Sequence, residues 1–266
     1  MIRITLMLSS LLFVTVAFGQ KDVSKSQWQD KPIEVDGELE EWSNGLNFIK
    51  EGSYYDKSTK LAYSVSNDEK NIYLCFRIID KTMQMKVLKT GLLVSIDTTG
   101  KRKKLPSINY PIKQEKFERP SGKPDMDNIR QEFENQMQNM MLVGFKQGNG
   151  ISPLENDNGV TAKLKWGNNN DIIYEFAISF ASFWKESINS EDMSKVISLN
   201  VSLAAMKRPN SGTGGRPSGG GRPSGTGRPS GGRPSWGGSN SSSNFQVLFQ
   251  EQRFRHRFTL AASDNL

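Results

Sequence analysis

The sequence holds one histidine, His256, and one cysteine, Cys75, and neither has the companions that nucleophilic or metal chemistry requires. A reactive thiolate needs a cationic or basic neighbour, and a single imidazole leaves no Cys–His–Asn set to supply one. Cys75 lies in an alternating run, opposite in facing to Leu74 and Phe76, which predicts a buried, inert thiol. His256 shares an apolar face with Phe254, Phe258 and Leu260, while Arg253, Arg255 and Arg257 take the opposite face. A lone histidine on such a face reads as a satisfied core residue. The sequence has no Gly-rich phosphate loop, zinc spacing or Ser-His-Asp set. Acidic pairs such as Glu40-Glu41 fall on a surface turn rather than across a cleft. These patterns point away from catalysis.

Binding chemistry has more to work with. An indole face stacks on a pyranose ring, which makes Trp42, Trp166 and Trp184 candidate ligand-binding residues. Trp166 continues the face of Val160, Ala162 and Leu164, with Lys163 and Lys165 pointing away, so core packing suits it better. The same holds for Trp42. Trp184 follows Phe183 at a strand end and is the better platform. The run Glu155-Asn156-Asp157-Asn158-Gly159 offers oxygen ligands and a glycine turn. It lacks the alternating acids and distal Glu of an EF-hand, and a plain turn fits it better.

Residues 1–19 carry Arg3, an apolar run over 6–18 and a small-x-small site at Ala17-Phe18-Gly19. That is a signal-peptide pattern with cleavage before Gln20, and Ser9-Ser10 break a run already shorter than the ~20 residues of a membrane span. Export to the periplasm, cell surface or extracellular space is the expectation. With one cysteine the exported chain can form no internal disulfide, so residues 20–266 must fold as one domain on their own core.

The chain's net charge of +7 is unevenly placed. Residues 207–244 contain Lys207, Arg208, Arg216, Arg222, Arg228 and Arg233 and no acid, which leaves the folded remainder neutral overall. This tract repeats Gly-Arg-Pro-Ser, has almost nothing apolar to bury, and is expected to be disordered. Apolar periodicity resumes after it, so it forms a loop before the last strand rather than a tail. Two readings stand: a solvated, expandable loop, or a basic arm for anionic polymers in which Arg216, Arg222, Arg228 and Arg233 make the contacts.

The elements that must position these residues are mostly strands. Period-two runs occupy residues 60–66, 71–80, 92–97, 160–166, 172–180, 196–204 and 254–260. Gly167-Asn168-Asn169-Asn170-Asp171 gives a hairpin signal between two of them. One helix is expected over residues 125–142, where Met126, Ile129, Phe133, Met137 and Met140 recur at spacings of three and four. The fold class is therefore mainly β: an antiparallel β-sandwich with one inserted helix and a disordered Gly/Arg/Pro/Ser loop before the last strand.

Residues 31–42, Lys-Pro-Ile-Glu-Val-Asp-Gly-Glu-Leu-Glu-Glu-Trp, read as a short strand, an Asp-Gly turn and an aromatic lid. This stretch resembles the opening motif of the family 9 carbohydrate-binding modules and the DOMON-like domains grouped with them. Residues 71–80, after the Asn67-Asp68 turn, resemble that family's central strand, and Tyr174-Glu175-Phe176-Ala177-Ile178 resembles its later Tyr-Glu-x-x-Ile segment. The resemblance implies a non-catalytic, saccharide-binding sandwich, with calcium as an associated ion, on residues that the motifs do not single out. DOMON-like relatives that bind haem through a Met and a His imply an alternative. In it His256 would pair with Met137, Met140 or Met141, and the domain would be haem-binding or redox-associated. A third reading is a surface-associated structural protein that makes its contacts through the basic loop.

Excising residues 212–238 should leave the thermal midpoint nearly unchanged, because the tract has few groups to bury. A fall of more than about 5 °C in a melting scan would show that it packs on the folded domain.

Overall fold

The period-two runs become strands and close on one another as two sheets. The computed structural model describes residues 23–42, 53–100, 103–112, 130–131, 133–135, 137–186, 188–207 and 246–263. The expected signal peptide, Arg216, Arg222, Arg228 and Arg233 lie outside the described residues. In chain order the strands are β1 Ser24–Lys25, β2 Gln27–Trp28, β3 Ser53–Asp56, β4 Leu61–Asn67, β5 Asn71–Ile78, β6 Leu92–Asp97 and β7 Ser107–Tyr110. There follow β8 Asn139–Val143, β9 Gly150–Pro153, β10 Val160–Trp166, β11 Ile172–Ser179, β12 Ile197–Leu203 and β13 Gln252–Thr259.

The larger sheet runs β1-β13-β12-β6-β7-β8-β9 and the smaller β10-β11-β5-β4-β2, with β3 on β4. Pairing is antiparallel throughout the body of both sheets, and the two-residue strands β1 and β2 add parallel edges. The predicted hairpin is present: Trp166 faces Ile172, and the turn closes with Gly167 N donating to Asp171 O at 3.0 Å. One side chain in two from each sheet meets in a single core that includes Phe76, Tyr110, Tyr174, Phe176, Leu199 and Phe258.

The helix expectation is corrected in part. Residues 130–131 and 133–135 are helical, but Met137 lies past the turn and Met140 sits in β8. Met140 and Leu142 are fully buried while Asn139 and Val143 are exposed, so over these residues the pattern has period two. Pairing with β7 and β9 decided between two periodicities that the methionines satisfy equally. The well-formed helix is α1, Lys81–Thr90, between β5 and β6. Asp80 caps it by accepting from Met83 N at 3.0 Å, and Gly91, at φ 78°, ends it. Its fully buried Lys86 reaches Val247 O and Gln250 O, which pins the segment leading into β13. Two single-turn helices, α2 Phe180–Phe183 and α3 Ser190–Met193, follow β11.

The first corner keeps its turn and its lid but not its strand. Residues 33–35 belong to no ladder and run extended across the outer face of the smaller sheet. There Ile33 and Trp42 join Ala62, Tyr73, Cys75 and Ile173 in a second apolar cluster. Trp42, 3 % exposed, closes it, and Trp42 N donates to Leu39 O at 3.2 Å in the single turn expected. Gly37 has φ 84°, and a Cβ there would stand 2.6 Å from Lys165 Cβ. Only glycine satisfies both conditions.

Trp42→Ala should cost about 3–5 kcal/mol in chemical denaturation, because the indole seals this cluster. Trp42→Phe, which fills much of the volume but donates nothing, should cost about 1–3 kcal/mol. A Trp42→Ala protein as stable as the parent would place the indole outside the packing.

Candidate binding groove

Three places in the fold collect polar or titratable groups, and they differ in how far those groups are satisfied. The first is the corner itself. Glu175 sits in mid-strand on β11, opposite Cys75, and is fully buried. Its Oε2 accepts from Asp36 N at 3.0 Å and Gly37 N at 2.6 Å, and its Oε1 from Trp42 Nε1 at 2.5 Å. Burial raises its pKa to about 7, against the pull of the Gly37 and Trp42 hydrogen bonds. Asp36 and Glu41 bring carboxylate oxygens within 4.8 Å, a cluster that invites a cation. Yet three N–H groups already point at Glu175, where a calcium ion would need oxygen ligands. The arrangement is that of an anchor. Burial, and then the Glu175 charge, also push the Cys75 thiol well above its usual range, as expected of an inert thiol.

The second place surrounds His256 on the inner side of β13. Its ring lies 4.3 Å from Tyr54, 5.5 Å from Tyr63 and 5.9 Å from Phe258 between centroids, and its Nε2 is hydrogen-bonded to Ser24 Oγ at 2.8 Å. Burial lowers its pKa to about 4, so the imidazole is neutral at pH 7. Met140 is four strands away across the larger sheet, on the order of 19 Å at strand spacing. Met137 leads into that same distant strand. The fold does not bring these residues together as two ligands of one iron.

The three tryptophans do not converge either. Trp42 is buried. Trp166 is half-buried on the core face of β10, edge-on to Phe133 at 6.0 Å. Trp184 is half-buried beside Phe180, and the Lys185 and Lys195 ammonium groups lie 5.7 and 5.9 Å from its ring centroid. Both lysines also bind Asp192, so this indole is already bracketed by an ion-paired cluster. In the 155–159 turn, Asn156 Nδ2 donates to Pro153 O and Val160 O, and its Oδ1 accepts from Asn158 N. That closes the loop with its own amide.

The third place begins on the outer face of the larger sheet. No N-terminal corner covers it among the described residues, and a groove of about 1080 Å³ runs along β6, β12 and the free edge of β13, reaching round that edge to Asp56, Phe254 and His256. β1 pairs with β13 only at Phe258 and Thr259, which leaves residues 252–257 as an edge among the described residues. Register sets Arg255 opposite Asn200 and Asn200 opposite Ser95, with Arg253, Ser202 and Leu93 in the next row. Arg255 is held by Nη2 donating to Ser198 Oγ at 2.6 Å. Its Nε and the neighbouring Asn200 Nδ2 are both buried and without a hydrogen-bond partner among the described residues. Adjacent unpartnered donors at the floor of an open groove ask for an oxygen acceptor from outside. The sequence had shown the arginines on one face; the Asn200 partner comes only from strand register.

The fold can be compared with solved structures. A family 9 carbohydrate-binding module from Caldicellulosiruptor kristjanssonii in complex with glucose is similar over 92% of this chain and 99% of its own, at 10% identity and TM-score 0.40. A family 9 module from the same organism in complex with cellotriose is similar over 92% and 96%, at 10% identity and TM-score 0.39. No protein-family model and no curated protein sequence matches the chain.

The two shifted groups predict opposed pH dependences. Between about 4.5 and 7 folded Glu175 holds a proton that the unfolded chain releases, so rising pH lowers stability there. Glu41, also raised chiefly by burial, adds in the same sense. Between about 4 and 6.5 unfolded His256 holds a proton that the folded chain lacks, so rising pH raises stability. In denaturation profiles His256→Gln should leave a stability that falls with pH across this range, and Glu175→Gln one that rises. Parallel profiles for the two variants would contradict the burial assigned to one of them.

Proposed function

We propose that this protein is an exported, non-catalytic binding protein whose sandwich takes a saccharide in the outer groove of the larger sheet. The observation that carries this reading is the pair of unpartnered donors, Asn200 Nδ2 and Arg255 Nε, on the groove floor. Around them Ser95 and Ser202 supply hydroxyls that both donate and accept, and Leu93 supplies an apolar surface. A pyranose presents that combination in reverse: equatorial hydroxyls at its rim and C–H groups on its faces. Export follows from the signal-peptide pattern of residues 1–19. No helix among the described residues is long and apolar enough to cross a membrane.

A glycan array probed with residues 20–266, with and without calcium, tests the proposal. Saccharide binding should appear and should fall when Ser202→Trp fills the groove, while Trp184→Ala leaves it unchanged. Loss on Trp184→Ala with retention in Ser202→Trp would move the site to the tryptophan. No saccharide bound under either condition would overturn the reading.

A further inference from the structure

Charge in the groove is as unequal as its hydrogen bonding. Lys104, Arg253, Arg255 and Arg257 line it, against the carboxylates of Asp56 and Glu251. Asp56 turns back on its own loop, its Oδ1 accepting from Thr59 N at 2.7 Å and Thr59 Oγ1 at 2.9 Å. Asp97, opposite Ser198 on the same face, is engaged by Thr99 and by Lys103 N, and no carboxylate among the described residues is shown bonded to the groove's cations. A neutral hydroxyl could accept from Asn200 Nδ2 or Arg255 Nε, but it would leave the guanidinium charge uncompensated in a partly desolvated site. An anionic oxygen satisfies the donors and the charge together, and hydrogen bonds of that kind are about twice as strong as neutral ones.

Resting on the saccharide reading above, we infer that the ligand is an acidic saccharide whose carboxylate or sulfate oxygens sit between Asn200 Nδ2 and Arg255 Nε. Ser198 holds the guanidinium by one end, and its Nε stays buried beside the groove instead of swinging to solvent. Strand register sets Asn200 and Arg255 directly opposite each other on neighbouring strands, so the anion need displace only the side chains that cover the two N–H groups. Arg253, one row along the same face, and Arg257, on the other side, extend the positive strip past the notch. A linear polymer bearing a charge on each residue would follow such a strip. The basic tract of residues 207–244 offers a competing site for polyanions, and the test must separate the two.

Isothermal titration with three oligosaccharides of equal length makes the separation: an oligogalacturonate, a sulfated dextran oligosaccharide and a neutral cello-oligosaccharide. At least one acidic ligand should bind roughly tenfold or more tighter than the neutral one, a difference that shrinks as salt is added. The tighter of the two names the anion. Asn200→Asp should abolish that preference, because the new carboxylate takes the Arg255 Nε–H and repels the ligand. The same substitution should leave the melting temperature unchanged or raised, which separates lost binding from lost fold. Excising residues 212–238 should leave the preference intact. Equal binding of acidic and neutral ligands, with the groove variants still effective, would overturn this inference and leave the saccharide reading standing. No binding of any of the three would overturn both. An acidic preference that survives Asn200→Asp and vanishes on excision would assign the anion to the basic tract and overturn the notch.

Discussion

One buried carboxylate organises the smaller sheet. Glu175 occupies a central strand position with no exposed surface, where an ionisable group is costly unless its oxygens are satisfied. The chain satisfies them from a single source, the turn at Asp36-Gly37 and the indole of Trp42. The consequences follow in order. The N-terminal segment must cross the outer face of this sheet, Gly37 must accept a positive φ against Lys165, and Trp42 must lie over Tyr73, Cys75 and Ile173. Two motifs far apart in sequence, residues 31–42 and 174–178, are thus two halves of one contact.

That contact makes the two outer faces of the sandwich unlike. The smaller sheet is covered and Glu175 is bonded through both oxygens, while Asp171 in its hairpin turn keeps one oxygen without a partner among the described residues. On the larger sheet the outer face keeps an open groove, and two of its buried donors have no partner among the described residues. A donor left in that state costs about 1–3 kcal/mol, so the folded protein carries a standing cost that a ligand acceptor would relieve. The same fold therefore holds a polar site built for stability on one side and a polar site left incomplete on the other.

Much of this was legible in the sequence, and the failures have physical causes. The long strands announced themselves because one face of each is buried, as in Ile72, Leu74, Phe76 and Ile78 of β5. The strands β7 and β9 did not, being four residues each and bounded by proline or glycine. Helix α1 was missed because two of its four buried residues, Gln84 and Lys86, are polar, which erases the apolar stripe. The methionine spacing was misleading in the opposite sense, since Met140 and Leu142 fit period two as well as Met137 and Met140 fit a helix. Among functional residues, the arginine face of β13 could be read from alternation. Asn200 could not, because a single asparagine in β12 gains its meaning only from the strand opposite.

The most direct test of the account is a titration of the side-chain N–H signals of Arg255 and Asn200 by NMR, with an acidic oligosaccharide as ligand and the indole signals of Trp42, Trp166 and Trp184 as internal references. The Arg255 Nε–H and Asn200 Nδ2–H resonances should shift together and become protected from exchange with water, while the Trp42 indole, held on Glu175, should not move. Shifts confined to the tryptophan indoles, with Arg255 and Asn200 unchanged at saturation, would contradict it.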